Sequence, residues 1–290
     1  MTTTRPTILT AAPVGFTADG AVDLDASRRI LEFIRDSGVD GSFVLGTTGE
    51  FPSLSREERR ALAGLSLEVL ADRRVVVHVG APSIHQVREL IDDARGAGAR
   101  AVAVLTPYYL PASTTAVVDF FREAAAAAEG LEVFAYLFTA RTGNAVGSDQ
   151  LAQIAQIPGI IGAKVSGETL EHVASLRKSV PADFQLLTGS DAEIARVTSR
   201  GIDGVISGVA SVLPEPFVAV AEALSAGAAD DELKSLQSGV DRAVELIRGD
   251  PERMKAGLAA RGVEAGTSRM ALDRPEPELA DLVRSFSGLS

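Results

Sequence analysis

Residues 75–105 contain Val75-Val76-Val77-His78-Val79, then Val87, Leu90, Ile91 and Ala94 at helical spacing, a Gly96-Ala97-Gly98 turn, and Ala101-Val102-Ala103-Val104-Leu105. An almost wholly apolar run of five suits a strand covered on both faces, as in a parallel sheet, better than one with a wet side. Apolar residues three and four positions apart form one stripe of a helix, and a glycine just past that stripe suits its C-cap. The segment therefore predicts a strand, a covering helix and a second strand parallel to the first.

The same unit repeats along the chain. Apolar runs fall at Thr7–Val14, Gly41–Leu45, Val75–Val79, Ala101–Leu105, Glu132–Phe138, Ile160–Val165, Phe184–Leu187 and Gly204–Ser207. Between them lie helical patterns such as Leu24, Ile30, Leu31 and Ile34, and glycine turns such as Ser37-Gly38-Val39, Glu129-Gly130 and Arg200-Gly201. Eight strand–helix units in about 210 residues suit a closed (β/α)8 TIM barrel, expected over residues 1–213. Residues 214–290, rich in Ala, Leu and Glu, read as a C-terminal helical extension packed on the barrel. An open doubly wound sheet is the alternative, but no Gly-x-Gly-x-x-Gly turn follows the first run, which disfavours dinucleotide binding.

Composition narrows the function classes. The 290 residues are 46% hydrophobic and 23% charged, enough apolar material for a full core. The absence of cysteine excludes disulfides, thiolate metal sites and a thiol nucleophile. A net charge of −11 with scattered arginines, as in Arg56-Glu57-Glu58-Arg59-Arg60, argues against a nucleic-acid partner. No apolar run approaches the ~18 residues of a membrane span, and Met1-Thr2-Thr3-Thr4-Arg5-Pro6 does not read as a secretory signal, so a cytoplasmic location is expected. His78, His85 and His172 lack metal-ligand spacing, and neither His-Glu-x-x-His nor Gly-x-Ser-x-Gly occurs, so no metal site is expected.

Reactive groups of a barrel sit at the C-terminal ends of its strands. Those ends hold Gly46-Thr47-Thr48-Gly49-Glu50, whose hydroxyls and amides suit a carboxylate, and Thr106-Pro107-Tyr108-Tyr109. They also hold Tyr136 with Arg141-Thr142-Gly143, Thr188-Gly189-Ser190-Asp191 and Ile206-Ser207-Gly208. All three tyrosines of the chain fall there, which points to a site. Among four lysines against 24 arginines, Lys164 alone interrupts an apolar strand. Lys178, Lys234 and Lys255 lie in polar helical patterns and read as surface residues. A desolvated lysine is biased toward the neutral amine that attacks carbonyls. The competing reading of Lys164 is a structural ion pair with Glu50, Asp191 or Glu168.

Taken together, Gly46-Thr47-Thr48-Gly49-Glu50, Thr106-Pro107-Tyr108-Tyr109, Tyr136 with Arg141-Thr142-Gly143, and Gly162-Ala163-Lys164 resemble the dihydrodipicolinate synthase / N-acetylneuraminate lyase family of class I pyruvate-dependent aldolases. The similarity runs from Thr7 to about Pro214, with a looser match at Met254-Lys255. It implies that Lys164 forms an imine with pyruvate or another 2-oxo acid, so that no cofactor is needed. Thr47 and Thr48 would bind the carboxylate and relay protons, and Tyr136 would act as acid and base. Tyr109 would complete a relay from a neighbouring subunit of a homotetramer or dimer. Arg141 would hold the carboxylate of an aldehyde substrate, while Gly189 and Ile206 would offer backbone contacts. The nearest named activity is condensation of pyruvate with aspartate semialdehyde. A 2-keto-3-deoxy sugar acid aldolase or dehydratase, and a non-catalytic keto-acid-binding barrel, are the alternatives. The family's Asn and Pro after its tyrosine are replaced by Leu137-Phe138-Thr139-Ala140, and Phe51-Pro52 follows Glu50 as in the sugar-acid branch. The second-substrate pocket is therefore expected to be reshaped and more apolar.

Overall fold

A computed structural model describes residues 5–286. The first four residues of the N-terminal stretch and residues 287–290 of the expected extension lie outside the described residues. The elements follow in the order β1 (Thr7–Ala11), α1 (Leu24–Asp36), β2 (Gly41–Val44), α2 (Arg56–Val69), β3 (Arg74–His78), α3 (Ile84–Gly96), β4 (Ala101–Leu105) and α4 (Thr114–Ala127). Then come β5 (Glu132–Leu137), α5 (Thr139–Thr142), α6 (Ser148–Ala155), β6 (Ile160–Val165), α7 (Leu170–Leu176), β7 (Gln185–Thr188) and β8 (Gly204–Ser207). The chain continues with α8 (Glu215–Ala226), α9 (Asp230–Ile247), α10 (Pro251–Ala260) and α11 (Leu279–Arg284).

All eight strands pair in parallel, and β1 closes on β8 with Thr7 opposite Gly204. The expected barrel is the observed one. Local chemistry explains where its helices start and stop. Ser55 and Glu58 form a reciprocal capping box on α2, and Asp23, Ser83, Ser113 and Asp250 cap α1, α3, α4 and α10. Gly38 (φ 84°) and Gly98 (φ 91°) take the left-handed turns that return the chain to β2 and β4. Differences from the sequence reading are small. The first strand ends at Ala11 rather than Val14, because Pro13 has no N–H for the ladder. Residues after β7 form short 3₁₀ turns rather than a regular helix, with Glu193 (φ −139°) breaking the continuity. Helix α8 packs against β1, so the ring of helices runs one element past residue 213.

Two apolar cores result. Val102, Val104, Val133, Ala135 and Leu137 face outward onto the helices, whereas Ala101, Ala103, Leu105, Phe134 and Tyr136 fill the barrel interior with Leu9, Phe43, Val76, Leu187 and Ile206. Strand β6 departs from strict alternation. Ile161 packs on the inner cluster, yet Ala163 and Val165 belong to the outer one. The register shift opposite Val133/Phe134 inserts an extra residue here. That bulge is the reason Lys164, which plain period two would send outward with Gly162, points into the barrel.

Close strand approach makes some glycines obligatory. A Cβ at Gly204 would stand 2.0 Å from the Thr7 carbonyl oxygen. We expect Gly204→Ala to destabilise the barrel by about 3 kcal/mol through overpacking of the β1–β8 seam. The measurement is the urea midpoint, which should fall at unchanged slope; an unmoved midpoint would contradict the tight seam.

Candidate active site

Parallel register sets Tyr136 directly beside Lys164, and Lys164 beside Leu187. Lys164 is 5% exposed, and its Nζ lies 4.3 Å from the Phe43 ring centroid and 4.5 Å from that of Tyr136. Among the described residues it has no carboxylate within ion-pairing distance, so pairing with Glu50, Asp191 or Glu168 does not occur. The two aromatic faces stabilise the ammonium partially without fixing its hydrogen-bonding capacity. The Tyr136 hydroxyl meets the Thr47 hydroxyl at 3.3 Å, which joins strand β5 to the loop after β2. Lys164, Tyr136 and Thr47 are thus brought together as expected.

The Gly46–Gly49 loop turns tightly: the Glu50 amide donates to Thr47 O and that of Phe51 to Gly46 O. Thr47 and Thr48 are half-buried at the barrel mouth, and the amides of Thr48 and Gly49 have no partner among the described residues. Free amides beside two hydroxyls make a concavity suited to a carboxylate. The loop is anchored by groups that the sequence reading assigned elsewhere. Lys255 is not a surface residue; it is 1% exposed, and its Nζ donates to Glu50 at 2.7 Å. Helical periodicity placed it on α10 but could not show that this face of α10 covers the loop. His78, buried on β3, donates from Nδ1 to Leu45 O at 2.9 Å. Burial first, and then the charges of Arg59 and Lys164, hold its imidazole well below its ordinary pKa and therefore neutral.

The three tyrosines do not converge. Tyr108 is half-buried against Phe51, with ring centroids 6.0 Å apart, and its hydroxyl is held protonated by burial despite the opposing charge of Arg59. Tyr109 is 90% exposed with φ 79°, a left-handed backbone that turns its side chain out of the barrel. Asn144, missed in the sequence, ties this loop down. Its side chain donates to Pro107 O and Leu110 O and accepts from the Ala112 amide. Arg141 stands on α5, exposed, 5.9 Å from the Phe138 ring and without an ion pair among the described residues. Phe138, in the altered segment after the tyrosine, has its ring centroid 6.1 Å from that of Tyr136.

Ile206 faces the interior beside Leu187 and Tyr136. Gly189 and Gly208, just past β7 and β8, stand close to protein atoms on the side that a Cβ would occupy. A Cβ would lie 2.4 Å from Ser166 Oγ at the first and 2.3 Å from Met254 Cε at the second. Asp191, two residues after Gly189, has its Oδ1 buried without a hydrogen-bond partner among the described residues. Burial raises its carboxyl to about 7, against the opposing pull of the Ser207 hydroxyl, the Lys164 charge and the Val209 amide. Its position in the strand-end motif was legible, but its protonation is set by burial, which the motif does not announce. No three His, Cys, Asp or Glu side chains among the described residues are grouped to hold a metal ion, and no helix there is long and apolar enough to cross a membrane.

Fold and site together describe a closed parallel barrel with a buried lysine, free of any carboxylate partner among the described residues, facing inward from its sixth strand. A family model, the dihydrodipicolinate synthetase family, matches residues 5–278. The chain is 34% identical over 288 residues to a DapA-like lyase of Halobacterium salinarum, covering 96% of this chain and 92% of the relative. It is 33% identical over 272 residues to the 4-hydroxy-tetrahydrodipicolinate synthase of Moorella thermoacetica, covering 91% of each. Among solved structures, the 4-hydroxy-tetrahydrodipicolinate synthase of Methylacidiphilum fumariolicum matches with a TM-score of 0.88 at 26% identity, over 97% of this chain and 94% of that one. The chain belongs to the dihydrodipicolinate synthetase family and is a lyase of the class I aldolase type.

The elevated Asp191 carboxyl has a consequence for stability. Because the folded state holds this proton more tightly than the unfolded chain, the group's stabilising contribution is complete below its unfolded value and disappears as pH rises through about 7. Asp191→Asn should therefore gain stability relative to the parent between pH 4 and 8, by about 1–2 kcal/mol for a half-buried site. Parallel urea-midpoint curves across that range would contradict the elevated carboxyl.

Proposed function

We propose that the chain is a Schiff-base-forming lyase acting on pyruvate or a closely related 2-oxo acid, with Lys164 as the covalent residue. The observation that carries this reading is a buried amine between Phe43 and Tyr136, without a carboxylate partner and beside a tyrosine–threonine hydroxyl pair. Once the ammonium has given up a proton to water, the amine adds to the C2 carbonyl, and loss of water leaves an imine. The cationic imine withdraws electrons, so a C3 proton can leave to a base and give an enamine. Tyr136, linked through its hydroxyl to Thr47, moves that proton. The enamine then attacks an aldehyde carbon, the new alkoxide takes a proton, and water releases Lys164. No cofactor enters this sequence.

The carboxylate of the 2-oxo acid fits the Thr47–Thr48 loop with its free amides, near the Gly189 and Ile206 backbone. Arg141 is available for an anionic group on the aldehyde, which favours a substrate of the aspartate semialdehyde kind and 4-hydroxy-tetrahydrodipicolinate synthase activity. Leu137, standing where the family has Asn, and Phe138 beside it support the second reading, a keto-deoxy sugar acid aldolase or dehydratase with a different acceptor pocket. Tyr109 and Leu110, 90% and 69% exposed, form an apolar projection suited to a second copy of the chain, in keeping with a homotetramer or dimer.

Borohydride reduction in the presence of pyruvate should leave a 1-carboxyethyl group on the Lys164 nitrogen, read by peptide mass spectrometry. Lys164→Ala should abolish the adduct, and an unmodified Lys164 with every 2-oxo acid tried would end the proposal. Tyr136→Phe should retain the adduct but lower kcat by about 10²–10⁴-fold, the range of a lost acid–base group. Rates with aspartate semialdehyde against short sugar aldehydes separate the two acceptor readings.

A further inference from the structure

The Gly46–Gly49 loop is bounded by two non-glycine residues with left-handed backbone, Leu45 (φ 60°) and Glu50 (φ 53°). Side-chain-bearing residues avoid this region and hold it only where their surroundings impose it. At Leu45 the constraint is local, through the His78 Nδ1–H donated to its carbonyl. At Glu50 it comes from the far end of the chain. The Glu50 carboxylate is 0% exposed and accepts from Lys255 Nζ at 2.7 Å and from the Arg269 and Met270 amides, both at 2.8 Å. Lys255 is steadied by the Thr267 carbonyl at 3.1 Å and by the Phe16 ring at 4.3 Å. Its neighbour Met254 fills the space beside Gly208, in the same corner as the Thr48 hydroxyl.

A buried ion pair contributes little net stability compared with an apolar pair of the same volume, so stability alone is a poor reason for it. What it fixes here is geometry. The Thr47–Tyr136 hydroxyl contact, at 3.3 Å, is already longer than the ~2.7–2.8 Å of an ordinary hydroxyl pair, and a small loop displacement would break it. We propose that Glu50 and Lys255 are positioning residues of the catalytic site: their pair clamps the end of the strained loop, so that the Thr47 hydroxyl stays within reach of Tyr136 and the Thr48 amide keeps its aim. Helix α10 of the C-terminal extension is then a working part of the site, although it acts through the loop and not on the reacting atoms. This inference rests on the imine chemistry assigned to Lys164.

The test compares variants by the rate of borohydride-trappable adduct formation with pyruvate, kcat, KM and thermal midpoint. The parent enzyme is run first: failure to trap any adduct rejects the imine reading itself, whereas successful trapping opens the comparison. Lys255→Met leaves Glu50 buried without its partner; the double variant Glu50→Gln/Lys255→Met removes both charges and should recover the thermal midpoint. Both should trap about ten- to hundredfold more slowly, with kcat falling more than KM changes, as expected for misplaced catalytic groups. Arg253→Gln is the control, since Arg253 ties α10 to Leu246 O and Glu276 without reaching the loop. It should lower the midpoint and leave the trapping rate unchanged. Glu50→Asp keeps both charges but draws the anchor back by one methylene, and should slow trapping in a stable protein even where the double variant fails to fold. A stable double variant or Glu50→Asp variant that traps and turns over at the parent rate would overturn the proposal, as would Arg253→Gln slowing trapping as much as Lys255→Met.

Discussion

An ammonium group placed inside an apolar barrel without a carboxylate partner is the constraint on which this site depends. Pairing Lys164 with a carboxylate would relieve the cost of burying it, but would also fix the amine as a charged structural group. Instead, the faces of Phe43 and Tyr136 bracket the nitrogen, and aromatic faces stabilise the charge only weakly. The remaining polar groups of the mouth are arranged around that choice. Asp191, the carboxyl whose environment couples it to Lys164, is held toward its neutral form by burial, and His78 is neutral for the same reason.

Delivering Lys164 to this position takes two features of the sheet. Closure of the barrel creates an interior that accepts side chains from alternate positions of every strand. The bulge in β6 then shifts the phase of alternation, so that Lys164 shares the inner face with Ile161 instead of joining Ala163 and Val165 against the helices. Gly162 makes the shift feasible, since a Cβ there would stand 2.5 Å from the Gln185 carbonyl oxygen. Register with β5 does the rest by setting Tyr136 alongside.

The second organising feature is long-range. Backbone strain at both ends of the Gly46–Gly49 loop is held by buried polar groups, one from β3 and one from α10. Residues distant in sequence therefore share responsibility for the Thr47 hydroxyl. The same holds for the outer rim, where Asn144 after β5 secures the loop after β4 that carries Tyr108 and Tyr109.

Local information was sufficient for much of this. The repeated apolar runs and glycine turns determined eight parallel strands, because burial on both faces and helix capping are properties of short segments. An isolated lysine in such a run identified Lys164, and the strand-end rule identified Tyr136 and Thr47. Tertiary structure alone decided which groups face one another. Tyr109 turned outward because of a left-handed backbone that nothing in its neighbours' identities announces. Lys255 passed for a surface residue, since amphipathic spacing reports which stripe of a helix is buried only when that stripe is apolar. Its partner Glu50 lies 205 positions away. The elevated carboxyl of Asp191 likewise comes from burial, which the group acquires only in the folded barrel. Strand and helix periodicity acts over a few residues, whereas desolvation and charge pairing depend on distances in space, which the chain acquires only when the barrel closes and α10 docks against the loop after β2.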